Sequence, residues 1–166
     1  MLETYTIRRE KREDIRAMKE LNRAEFESYL PMVLDRIDNW KVKESAESDA
    51  VHDDIEHAAR IVKHYVITFI NESADARPAL LSDLTQRQLL YAQRCTFAVL
   101  LAMSQFCDTM FKDPFLAEYA NARREGRKPS HVAFQRDFHT FSVVSNFVRD
   151  LLNEIIDRRI PSNAIA

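Results

Sequence analysis

The sequence predicts an all-α fold: an antiparallel bundle of four to five helices with a long, charged helix at the N-terminus. Three observations predict it. The 166-residue chain holds one glycine, Gly126, and five prolines. Average usage, about 7% glycine, would supply about a dozen glycines. Strand-rich folds need glycine in turns and bulges, and phosphate-cradling loops need it too, so β-sandwich, Rossmann and P-loop architectures are excluded together. Apolar residues also recur at three- and four-residue steps over long stretches. Finally, helix-start and helix-stop residues delimit those stretches and leave short connections, the pattern of an antiparallel bundle. With 46% hydrophobic and 30% charged residues the chain reads as globular. Its length suits a single helical domain over 1–166 that buries a core without covalent staples.

The first helix is expected over 6–43. Its apolar stripe is Ile15, Met18, Phe26, Tyr29, Val33, Ile37 and Trp40, and the charged part before it is expected to project from the body. Pro31 lies inside that pattern. A proline within a helix removes a hydrogen bond and clashes with the preceding turn, so the helix must kink there or restart after Leu30. The main bundle, 44–166, follows. Its first helix is expected over 49–72, capped by Ser48 or Asp49, with acids in the first turns where the helix dipole favours them. Val51, Ile55, Ala58, Val62, Tyr65, Val66 and Phe69 share one arc; Asp53, His57, Arg60 and His64 share the opposite one. A loop over 73–77 closes at Pro78.

The next helix starts at Thr85, where Thr85-Gln86-Arg87-Gln88 matches a capping box, and runs to Phe111. One face carries Ala92, Cys95, Val99, Met103, Phe106 and Met110; another carries Leu90, Phe97 and Leu101. A helix apolar all round is expected to be buried all round. Asp113 is expected to cap a separate short helix, with Pro114 at its first position and Gly126 as a left-handed stop. Ser130 caps the last helix, which runs to Arg159. Its core stripe reads Phe134, Phe138, Phe141, Ser145, Val148, Leu152 and Ile155, with a second apolar set at Val143, Phe147 and Leu151. Two helices apolar on both faces exceed what one bundle core needs. Either the Thr85–Phe111 helix is central or the surplus faces form an oligomer interface.

The net charge of −2 gives no global nucleic-acid footprint. Charge is nevertheless uneven: residues 1–83 carry 13 basic and 18 acidic side chains, residues 84–166 carry 11 and 8. Complementary patches of this kind fit self-association or a charged protein partner. Cys95 and Cys107 lie about 18 Å apart if on one helix, too far for a disulfide. Both read as small core residues, and free thiols suit a reducing compartment. Met1-Leu2-Glu3-Thr4-Tyr5 has no apolar signal-peptide core, and the most apolar window is too short and too interrupted to span a membrane. The expected location is cytoplasmic.

The sequence offers residues for three chemistries. His52 with Glu56 and Asp54 with His57 have metal-ligand spacing, but neither pair has the second arm a bundle-core metal site needs. No metal or cofactor is expected. No G-x-S-x-G element exists and both thiols read as buried, which leaves no supported nucleophile. Arg123, Arg124, Arg127, Lys128 and Arg136 form a basic cluster suited to phosphate or nucleic acid. Within it, Arg124 and His131 are separated by six residues. That spacing resembles the Arg/His motif of HEPN-family ribonucleases. The resemblance implies an all-α, dimeric, metal-independent enzyme in which Arg124 holds a phosphodiester and His131 moves a proton. The family motif is helical, whereas Gly126 and Pro129 put this one in a loop, and Glu125 departs from the residues that usually follow the arginine.

The surplus apolar stripes and the charged N-terminal helix favour a different reading. The chain is expected to be a non-enzymatic helical interaction module: an adaptor, small structural subunit or regulator that binds a protein partner or itself. Its expected contact residues are Leu90, Phe97, Leu101, Val143, Phe147 and Leu151. The ribonuclease and a nucleic-acid-binding accessory role are the alternatives.

Overall fold

The computed structural model describes residues 23–47, 52–71, 79–130 and 132–159. They form α1 (Arg23–Ser28), α2 (Leu30–Glu47), α3 (His52–Asn71), α4 (Gln86–Cys107), α5 (Asp113–Glu125) and α6 (Val132–Arg159). A 3-10 turn covers Ala79–Asp83 and a π-helical turn covers Asp108–Lys112. No strand occurs among the described residues, as an all-α chain requires. The projecting N-terminal part with Ile15 and Met18, the Ser48/Asp49 cap, Val51 and the 73–77 loop lie outside the described residues.

The break near Pro31 falls two residues earlier, at Tyr29, where the Tyr29 N–H donates to the Phe26 carbonyl at 3.2 Å. Restarting at Leu30 places Pro31 in the first turn of α2, where its missing N–H would have had no helical partner anyway. The 3.6-residue pattern of α3 holds. Ile55, Ala58, Val62, Tyr65, Val66 and Phe69 are buried, while Asp53, Arg60 and His64 are exposed. The capping box is formed. Thr85 Oγ accepts from the Gln88 N–H and Gln88 Oε1 accepts from the Thr85 N–H, each at 3.1 Å.

α4 is the central helix, packed against α2, α3 and α6. Val33 and Ile37 of α2, Ile55 and Val62 of α3, Cys95 and Met103 of α4, and Val144 and Ile155 of α6 share one continuous core. Fully burying a side chain of this size contributes roughly 1.5–3 kcal/mol. Two buried threonines are paired. Thr140 is fully buried and donates to Glu25 Oε2 at 3.2 Å, tying α1 to α6. The buried Thr96 hydroxyl returns to the Ala92 carbonyl at 2.7 Å.

Two expectations about the helices are corrected. Asp113 does not cap a new helix. The chain stays helical from Gln86 to Glu125 through the π-helical turn, in which the Asp113 N–H reaches back to the Asp108 carbonyl. In an unbroken α-helix the Pro114 ring would clash with the carbonyl four residues before it; a widened turn absorbs this without ending the helix. Gly126 does stop the helix. At φ 67° and ψ 23° it is left-handed, and the Arg127 N–H closes onto the Ala122 carbonyl at 3.0 Å, a Schellman arrangement.

The second correction concerns α6. Its buried arc is centred about 60° from the expected stripe. Phe147 and Leu151, expected on an outer face, are core residues at 5% and 3% exposure, whereas Phe138, expected in the core, is 44% exposed. The cause is a second neighbour: α6 leans on α3 as well as α4, and Phe147 stacks on Phe69 with ring centres 3.9 Å apart.

Candidate functional site

α4 and α6 run antiparallel. Their register is set by Phe106 against Phe141 (ring centres 5.4 Å) and, further along, by Arg159 donating to Gln93 Oε1 at 2.7 Å. Between them lies an open groove of about 460 Å³. The α4 wall presents Phe97, Leu101, Ser104 and Asp108; the α6 wall presents Phe138, Ser142, Ser145 and Arg149; Leu100, Met103, Cys107 and Phe141 form the floor. On each wall the residues step by four, three and four, which places them on one helical line.

The groove walls expose apolar side chains where water should be. Phe97 is 56% exposed and Leu101 is 46% exposed. This corrects the expectation that an all-round apolar α4 is buried all round. Three neighbouring helices cover its inner side, and no described helix covers this one. Of the expected contact residues, Phe97 and Leu101 therefore line the groove. Leu90 is half-buried, Val143 packs partly against the core, and Phe147 and Leu151 are enclosed. The sequence reading missed Phe138, Ser104, Asp108, Ser142, Ser145 and Arg149. The available signal was the matched spacing of the two walls, which is visible only once the helices are known to be neighbours.

The thiols differ. Cys95 is fully buried, and desolvation pushes its pKa well up. Cys107 is half-buried in the groove floor, its pKa raised by partial burial and by the adjacent Asp108 carboxylate. Neither environment favours the thiolate a nucleophile needs.

The other candidates separate. His52 and Glu56 stand 3.9 Å apart on an exposed face, and no cluster of three metal-ligating side chains occurs among the described residues. In the basic cluster, Arg127 pairs with both Glu118 and Glu125, whose hydrogen bonds raise its pKa further, Glu118 more than Glu125. Arg124 donates to Asn121 Oδ1 on an exposed turn. Arg123 and Lys128 are exposed; His131 and the Arg136 side chain lie outside the described residues. The cluster is thus partly neutralised by its own acids. No helix among the described residues is long and apolar enough to cross a membrane.

No protein-family model matches this chain, and neither does any curated protein or solved structure.

Proposed function

We propose that this protein is a non-enzymatic helical interaction module, an adaptor, small structural subunit or regulator, that binds protein through the α4–α6 groove. One observation carries the reading: Phe97, Leu101 and Phe138 are exposed together around one groove. A single exposed apolar residue means little, but a contiguous set with a polar margin marks an interaction surface. Each such side chain is about half exposed, so covering it is worth roughly half of the 1.5–3 kcal/mol that full burial gives. The serines and the two charged ends supply the polar rim such interfaces carry.

A photo-crosslinking amino acid at Leu101 in living cells tests this, with the same probe at the exposed Arg60 as control. A discrete protein adduct at 101, absent at 60 and lost when Phe97→Asp is added, is the expected result. No adduct at 101 overturns the reading. Ribonuclease activity of the purified chain that Arg124→Ala abolishes would replace it.

A further inference from the structure

We infer that the occupant of the α4–α6 groove is a second copy of this chain, docked about a two-fold axis that runs across the groove. The inference rests on the groove being a protein-binding surface and names its partner.

The argument begins with the ends of the two walls. Phe97 of α4 and Asp108, the first residue of the π-helical turn that continues it, are eleven residues apart, and Phe138 and Arg149 are eleven residues apart on α6. Each pair spans about 16 Å. Because the helices are antiparallel and Phe106 packs on Phe141, the midpoints of the two pairs lie side by side. One end of the groove therefore holds Phe97 and Arg149, and the other holds Asp108 and Phe138. Asp108 and Arg149 are both exposed, and neither has an ion pair among the described residues.

A two-fold axis across the groove lays the Phe97/Arg149 end of one copy on the Asp108/Phe138 end of the other, and does so twice. At each end two phenylalanines, one arginine and one carboxylate meet. The guanidinium lands over the Phe138 ring and beside Asp108, which combines a cation–π contact with an ion pair. In the middle, Leu101 of one copy faces Ser104 of the other, a large side chain over a small one, and Ser142 faces Ser145. A two-fold axis along the groove would instead gather the two arginines at one end and the two aspartates at the other. Charge thus selects one arrangement and rejects its rival.

Charge is what singles out a second copy: the exposed Asp108 and Arg149 stand at opposite ends of the groove, and one two-fold axis brings each to the other.

Light scattering on the purified full chain at ~100 μM is the test. The expected mass is twice 19.4 kDa. Asp108→Arg and Arg149→Asp should each weaken the dimer by roughly 100-fold, because symmetry places the like-charge contact at both ends. The double variant should dimerise again. So should an equimolar mixture of the two single variants, as a heterodimer. Both positions are exposed, and recovery in the double variant separates lost docking from lost folding. A wild-type monomer, or a dimer indifferent to the single reversals, overturns the inference. If the Leu101 probe then yields an adduct of another mass, the interaction reading survives without self-docking; if it yields none, both fall.

Discussion

The buried row of α4 and the two large apolar residues on its outer side are alike in chemistry and opposite in circumstance. Leu89, Ala92, Cys95, Val99 and Met103 are at most 3% exposed, while Phe97 and Leu101, interleaved with them, are 56% and 46% exposed. The helix itself does not distinguish the rows. The difference comes from its neighbours, since α2, α3 and α6 enclose one side and leave the other as a groove wall. Hydrophobicity records that a surface is to be covered; it does not record whether the chain's own core or another molecule does the covering.

Four measurements can break or sharpen that contrast. Met103→Ala should cost about 2–5 kcal/mol of unfolding free energy in urea titration, because the side chain is fully buried in the core beneath the groove. A cost below ~1 kcal/mol would mean the inner face is not a rigid core. The thiols come next. Maleimide should label Cys107 in the native protein and reach Cys95 only on unfolding, with mass spectrometry assigning the site. Equal labelling would erase the distinction between groove floor and core.

A smaller effect belongs to Tyr29, whose ring packs edge-on against Phe106 and Phe141 beneath one end of the groove. Partial burial first, then the Asp137 and Glu25 carboxylates, raise its pKa from 10.0 to about 12. The folded state keeps the phenolic proton where the unfolded chain releases it. Stability from this group is therefore full below pH 10 and is lost as pH rises from 10 to about 12. Tyr29→Phe should flatten that alkaline decline in thermal melts, and an unchanged slope would contradict it. The smallest effect is expected on the outer face. Leu101→Ser should change the stability of the monomer by no more than ~0.5 kcal/mol. A loss comparable to that of Met103→Ala would show the groove wall to be core.

Features set by neighbouring residues were legible in the sequence. The Thr85–Gln88 capping box, the Gly126 stop and the buried face of α3 follow from a few side chains acting on their own backbone. Features set by distant contacts were not. Phe138 and Phe147 exchange their expected places because α6 touches α3 through Phe69, and no window of α6 contains that fact. Pro114 carries every mark of a helix start, yet the turn before it widens and the helix continues. The groove was half legible: Phe97 and Leu101 stood out as surplus, but their counterparts on α6 acquire meaning only when the two walls stand side by side.

The π-helical turn has a last consequence, for where the groove ends. It adds one residue to the screw of the long helix, and one residue is worth 100° of azimuth. Phe115, Tyr119 and Ala122 lie seven, eleven and fourteen residues beyond Asp108. In an uninterrupted helix they would prolong the line drawn by Phe97, Leu101, Ser104 and Asp108. The inserted residue swings them more than a quarter-turn aside, so the seam stops at the aspartate; beyond it Phe115 and Tyr119 are exposed and Ala122 is buried. A single phase slip beside a proline thus acts as a ruler, cutting a seam that would otherwise have run the whole forty-residue rod to the length its α6 counterpart can match.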